Sequence, residues 1–208
     1  PKYSLSDYQI IGAEALVRWD NPQKGLIPPI EFIPVFERNG FIVNIDFYVF
    51  EEVCKKIREW MDEGQKVVPI SVNLSRMHFV NSNFIEKFKL IVDKYKIPTR
   101  LIELELTETA VLDNIEGLLD TMNNLKEKGF VISMDDFGTG YSSLNLLKEL
   151  PVDILKLDRA FFTEKDESNN EKIVISNVIK MAKELKMKVI SEGVEAISQV
   201  EFLKQIGC

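Results

Sequence analysis

Histidine and cysteine are almost absent from this chain. One histidine, His78, and two cysteines, Cys54 and Cys208, stand among 208 residues. Two cysteines make no disulfide framework, and a reducing cytosol fits that count best. Cys54 falls on the apolar face of a predicted helix and reads as core. A zinc site of imidazole and thiolate ligands is left almost without donors, so any metal here is expected on oxygen: magnesium, manganese or calcium. Long apolar runs are missing too. None is long enough to span a bilayer, and no signal-peptide pattern is seen. The expectation is a cytoplasmic domain, whose parent protein is free to be membrane-anchored. No low-complexity segment or linker divides it, so 1–208 reads as one domain. Positive charge is in deficit as well, with a net charge of −7. That argues against general affinity for DNA, RNA or anionic membrane. An acidic balance is what a carboxylate-rich metal site leaves behind, and surface charge explains it equally well.

What the chain does have is 45% hydrophobic residues, enough for one sizeable core. Their period switches repeatedly between strand-like and helix-like. Strands are expected at Ile10–Arg18, Val67–Leu74, Leu101–Thr107, Phe130–Asp136, Val152–Leu157 and Lys188–Ser191. Helices are expected between them, at Asp46–Met61, Asn83–Tyr95, Ile115–Lys128, Ser142–Glu149, Asn170–Lys186 and Ile197–Gln205. The first carries Phe47, Phe50, Val53, Cys54, Ile57, Trp60 and Met61 on one stripe. Such alternation predicts an α/β fold of parallel strands with crossover helices. Six strands suit a doubly wound sheet, or part of an eight-stranded barrel, and periodicity alone does not choose.

The polar residues fall at one end of these strands. Asn73 lies near the end of the second, Glu105 and Glu108 at the end of the third, and Asp135 and Asp136 close the fourth. Lys156 closes the fifth, and Glu192 and Glu195 follow the sixth. Glu14 sits in the first among apolar neighbours, where burial without a partner is costly. In parallel α/β folds the carboxyl ends of strands form one face, and active sites sit there. Alternation puts Val131, Ser133 and Asp135 on one side, and Ile154 with Lys156 on one face. A single Glu ending a strand is usually solvated, and Glu103 is read so and left out. Asp158 reads as a cap for the turn after it, and Glu51, Glu52 and Glu59 as a solvated helix face. The cluster is harder to dismiss. Oxygen ligands with one lysine are what two-metal phosphoryl chemistry uses. Two adjacent aspartates repel each other unless a cation or water lies between them.

The segments "EALVRW", "GLIPPIEFIPVFERNG", "SVNLS", "ELELTET", "DDFGTGYSSL", "DILKLDRAF" and "SEGVE" occur in this order along the whole chain. In these the chain resembles the EAL domain, the cyclic-di-GMP phosphodiesterase family of bacterial signalling. A lone "DFG" would suit the magnesium loop of a protein kinase, but no kinase Gly-rich loop or His-Arg-Asp loop accompanies it. The resemblance implies a modified TIM-type (β/α)8 barrel with its first strand antiparallel. It also implies hydrolysis of cyclic di-GMP to linear pGpG at a two-metal site of Mg2+ or Mn2+. Carried over residue by residue, Glu14, Asn73, Glu105, Asp135 and Asp136 would hold metal. The catalytic set would be Lys156, Glu192, Glu108 and Glu195. Lys156 would orient or polarise the attacking water, and Glu192 would bind metal or act as its base. Glu108 would anchor the loop Phe137–Ser143, and Glu195 would support the site. Arg18 would contact a substrate phosphate and Leu16 would line the pocket. A homodimer through the loop after Asp136 and a flanking sensor or cyclase domain are further expectations. The family's first strand, with its Tyr-Gln-Pro segment, and its last, with Gln-Gly-Tyr, are both missing here, as is a glutamine of the site. The domain is therefore expected to be incomplete at both ends. The second reading is a catalytically silent cyclic-di-GMP receptor, but every position that can be checked is intact.

Overall fold

Strict alternation in Ile-Glu-Leu-Glu-Leu-Thr, residues Ile102–Thr107, sets the pattern for the whole sheet. Ile102, Leu104 and Leu106 face one way and are at most 1% exposed. Glu103, Glu105 and Thr107 face the other, because successive strand side chains alternate. The computed structural model describes residues 1–80, 83–108, 115–138, 144–162 and 169–208. In chain order the strands are β1 (Lys2–Tyr3), β2 (Ile10–Ala15), β3 (Trp19–Asn21), β4 (Gly25–Ile27), β5 (Ile70–Asn73), β6 (Ile102–Thr107), β7 (Val131–Phe137), β8 (Ile154–Leu157) and β9 (Lys188–Ser191). One sheet runs β1-β2-β5-β6-β7-β8-β9, and β3 pairs with β4 apart from it. β1 is antiparallel to β2, and every later neighbour pair is parallel. All six predicted strands are present, within a few residues of their expected ends. A first, antiparallel strand exists over two residues, where the sequence predicts none. The first predicted strand stops at Ala15, so Leu16 and Arg18 lie beyond its end.

The sheet is curled into a half-barrel. In a flat sheet β2 and β8 would stand four strand spacings apart, about 19 Å. Yet Glu14 of β2 and Lys156 of β8 meet at 4.0 Å. Curling divides the environments. The outer face carries Ile70, Val72, Ile132, Met134, Leu155 and Leu157 besides the β6 residues, and helices cover it. Full burial of each such side chain contributes on the order of 1.5–3 kcal/mol. The inner face is polar instead, with Ser71, Glu103, Glu105, Ser133 and Lys156 all buried.

Helix α1 spans Pro29–Arg38 and α2 spans Ile42–Asp62; α3 spans Phe84–Tyr95. α2 begins a turn earlier than the sequence predicts, because Ile42, Asp46, Phe50, Val53, Cys54 and Ile57 make one buried stripe. Phe50 stacks on Phe88 of α3 at 4.0 Å between ring centroids, locking the two helices together. Further helices at Ile115–Glu127, Leu144–Glu149, Asn169–Glu184 and Ile197–Ile206 match the expected crossovers. No helix among the described residues is long and apolar enough to cross a membrane. The stretch between β2 and α2 holds elements the sequence does not reveal. The β3–β4 hairpin and α1 pack through Trp19, Phe32 and Phe36, whose ring centroids lie 5.7–5.9 Å apart. Pro29 sits in the first turn of α1, where its missing N–H costs nothing.

Candidate active site

Lys156 is the centre of the site. It is 0% exposed, on the inner face of β8. Its Nζ lies 2.9 Å from Glu105 Oε1, 2.9 Å from Asp135 Oδ1, 2.7 Å from Glu192 Oε1 and 4.0 Å from Glu14 Oε2. Four carboxylates from four separate segments thus surround one ammonium. Burial alone would push the lysine's pKa down, but the charges of Glu105 and Asp135 and the contacts of Glu192 and Asp135 push it well above its ordinary value. Lys156 is therefore cationic. Glu105 is the mirror case. Burial favours its neutral form, yet Lys156 and Lys2 outweigh that, and Ser71 helps, so its carboxyl is held below the usual range. Glu14 is tipped the other way. Burial and the neighbouring Glu105 raise its pKa, against the pull of Lys156 and a hydrogen bond from Asn73 Nδ2 at 3.2 Å.

The two aspartates occupy different conformations. From Met134 to Phe137 β7 advances three residues while β8 advances two, from Leu155 to Leu157. That extra residue is a bulge, a device that redirects side chains at sites. Asp136 takes it up with φ 55°, a left-handed conformation that Asp tolerates better than most residues. Its N–H then donates to Asp135 Oδ1 at 3.0 Å, steadying the carboxylate that faces Lys156. Burial, then Asp135, Asp158 and Glu192, raise the pKa of Asp136. Asp158 does cap its turn, accepting from the Ala160 N–H at 2.7 Å.

Glu108 is buried, and its Oε2 accepts from the Gly138 N–H at 3.0 Å, tying down the start of the loop after β7. The remainder of that loop, 139–143, lies outside the described residues, and Gly140 with it. Gly138 has φ 99°, and a Cβ there would stand 2.2 Å from the Phe161 ring. Gly138→Ala should therefore cost about 2 kcal/mol or more, from backbone strain and displacement of that ring. Thermal unfolding checks it; an unchanged midpoint would mean that the loop start moves freely.

Beside the carboxylates opens a cavity of about 530 Å³. Asn73 and Glu105 line it on the barrel side, Leu16 and Arg18 on another, and Pro29, Ile33 and Glu37 of α1 close it. Leu16 and Arg18 are exposed, and Arg18 Nη1 donates to the Val17 carbonyl at 2.8 Å. Of the residues expected at the site, only Glu195 stands apart. It is exposed, and among the described residues its side chain makes no hydrogen bond or ion pair, while its backbone N–H donates to Gln199.

Sequence reading assigned no role at the site to Glu103, Lys2, Asp46 or His78. Glu103, taken as solvated, is 3% exposed and paired with Lys2 at 2.8 Å. Alternation in "ELEL" held that signal, since Glu103 must share a face with Glu105. Asp46, read as the start of a helix, is buried on the cavity floor. It accepts from the Ser75 N–H at 3.0 Å and pairs with His78 Nε2 at 2.9 Å. No sequence signal links Asp46 to His78.

Do these residues suit a divalent cation? Among the described residues no three Asp, Glu, His or Cys side chains form a ready cage. The carboxylates close on the ammonium instead. The donor set is nevertheless all oxygen, as magnesium and manganese require. Among the described residues Glu105 Oε2 is buried with no hydrogen-bond partner, a costly state unless something cationic completes it. Among the described residues, the five carboxylates of Glu14, Glu103, Glu105, Asp135 and Glu192 inside the half-barrel pair with two ammoniums, those of Lys2 and Lys156. Negative charge is in excess, and the residues fit a hard cation.

Known proteins resemble this chain in sequence and fold. The chain is 37% identical over 208 residues to the bifunctional diguanylate cyclase/cyclic di-GMP phosphodiesterase MucR of Pseudomonas aeruginosa, covering all of this chain and 30% of that protein. It is 36% identical over 208 residues to the signaling protein YkoW of Bacillus subtilis, covering 26% of it. The chain thus spans under a third of the length of these curated relatives. A solved structure of the MucR phosphodiesterase in complex with c-di-GMP superposes with a TM-score of 0.91, covering all of this chain and 84% of that one. The family model for the EAL domain matches residues 1–208, and with it the chain belongs to the EAL domain family.

Proposed function

We propose that this domain hydrolyses cyclic di-GMP to linear pGpG with Mg2+ or Mn2+. One observation carries the reading: a buried, protonated lysine ringed by carboxylates at the edge of a cavity of nucleotide size. The c-di-GMP phosphodiesterase names among the relatives support the substrate class. Glu14, Asn73, Glu105, Asp135 and Asp136 would hold the cations. When bound, divalent cations neutralise the phosphate and make water a stronger nucleophile.

The chain's own residues supply the rest. Arg18, at the cavity wall, binds a phosphate oxygen of the substrate, and Leu16 packs on its apolar part. Lys156 keeps its proton throughout and donates a hydrogen bond to the attacking oxygen, or to the oxygens that gain charge as phosphorus becomes pentacoordinate. Glu192, a third exposed, either shares in cation binding or accepts the proton of the attacking water. The P–O3′ bond breaks, and a proton ends on the departing oxygen. Glu108 holds the loop start through Gly138, whereas Glu195, standing apart, is left without a role in the step. A homodimer forms through the loop after Asp136, and a sensor or cyclase domain flanks this one in its parent.

Turnover of cyclic di-GMP by the full-length protein in Mn2+, read as pGpG, tests the proposal. Product is expected with Mn2+ or Mg2+ and little with Ca2+, whose looser shell activates water less. Full activity in excess chelator would overturn the metal reading. Tight binding without product would make the domain a receptor.

A further inference from the structure

We propose that Lys2 is a positioning residue for Glu105: it holds one carboxylate oxygen so that the other is left for a divalent cation. The inference rests on the metal-dependent reading above. Lys2 lies on β1, three strands from β6 in the sheet order. Its Nζ nonetheless reaches Glu103 Oε1 at 2.8 Å and Glu105 Oε1 at 3.2 Å. The route is built into the fold. Lys2 is paired with Gly12 of β2, and a Cβ at Gly12 would meet Lys2 Cδ at 3.3 Å and the Pro69 carbonyl at 3.3 Å. Gly12 therefore makes room for the lysine stem, and Ser71, on the inner face of β5, is small as well.

The distances divide the labour of Glu105. Both ammoniums act on the same oxygen: Lys156 lies 2.9 Å from Oε1 and Lys2 lies 3.2 Å from it. Oε2 is buried and, among the described residues, makes no hydrogen bond of ordinary geometry. A carboxylate clamped at one oxygen cannot rotate freely, so its second oxygen keeps one direction. Glu103 serves as the anchor for Lys2, closer than Glu105 and equally enclosed, with side chains 4% and 0% exposed. Groups that orient a ligand typically change metal affinity 10- to 100-fold when removed.

The decisive variant is Lys2→Met with Glu103→Gln. It removes one cation and one anion, so the charge of the interior is unchanged and no buried carboxylate at 103 is left unpaired. Mn2+ titration of the full-length protein by calorimetry, without substrate, reads the effect, alongside thermal unfolding. The double variant is expected to bind Mn2+ about tenfold or more weakly at a thermal midpoint near that of the wild type. Glu103→Gln alone should weaken binding less than the double variant does, because a glutamine oxygen still accepts from Lys2, and Lys2→Arg should retain affinity because its fork reaches both acceptors. Wild-type affinity in the double variant would overturn the positioning role. So would tighter binding in Lys2→Met, which is what a mere loss of positive charge predicts. A wild-type protein that binds no Mn2+ would overturn the metal reading itself, and this inference with it.

Discussion

Lys156→Met is expected to lower kcat for cyclic di-GMP by a factor on the order of 10² or more, the usual loss when a positioned electrostatic group is removed. The same change should weaken the metal-free fold. Lys156 and Glu105 are both fully enclosed, and removing one partner of a buried pair costs roughly 3–5 kcal/mol because the other charge is left uncompensated. Mn2+ should then raise the thermal midpoint of the variant more than that of the wild type, since it restores positive charge among the carboxylates. These two effects separate the roles. If Mn2+ restored both the midpoint and wild-type kcat, Lys156 would be only a counter-charge. The pH dependence follows from the raised pKa. The lysine's contribution is complete below the ordinary lysine value, about 10.4, and is lost only as pH rises through the higher folded value. No loss of stability through Lys156 is therefore expected between about pH 6 and 9; a midpoint falling there through this residue would mean that it is neutral.

Glu14→Ala should abolish turnover and weaken Mn2+ binding while leaving the fold almost unchanged. Its side chain is 26% exposed and gives up one hydrogen bond, from Asn73, together with a 4.0 Å approach to Lys156. Repulsion from Glu105 already raises its pKa after burial does, so removing it relieves part of what it disturbs. The expected change in stability is within about 1 kcal/mol. Activity and stability thus part company at Glu14, whereas at Lys156 they fall together. Unchanged kinetics in Glu14→Ala would reduce it to a surface glutamate and remove the metal ligand set as drawn. Kinetics with Mn2+, and calorimetry on the same preparation, measure both.

Much of this was legible from the residues alone. Every polar group at a strand end, from Asn73 to Glu192, came from alternation and from the rule that parallel strands deliver their carboxyl ends to one face. Those are local properties, written in neighbours two residues apart, and the structure brings Glu14, Asn73, Glu105, Asp135, Lys156 and Glu192 together. The antiparallel hairpin and α1 were not legible. Short strands in "WDNPQKGLI" carry no period, and α1 is interrupted by Pro34. Glu195 was placed by order along the chain, and the turn after β9 leaves it exposed.

What only the tertiary structure decided is which oxygens face which nitrogens. Lys2 and Glu103 lie 101 positions apart, and Asp46 and His78 lie 32 apart. The bulge that turns Asp136 exists only in the register of β7 against β8. Sequence patterns report the side of a strand on which a residue stands, because backbone geometry imposes a period of two. They carry no information on how tightly the sheet curls. Curling brings β1 within a lysine's reach of β6, and β2 within reach of β8, and it arises from strand twist and from the packing of helices on the outer face. The chemistry of the site was therefore local in origin, whereas its electrostatic wiring was a product of the curled sheet.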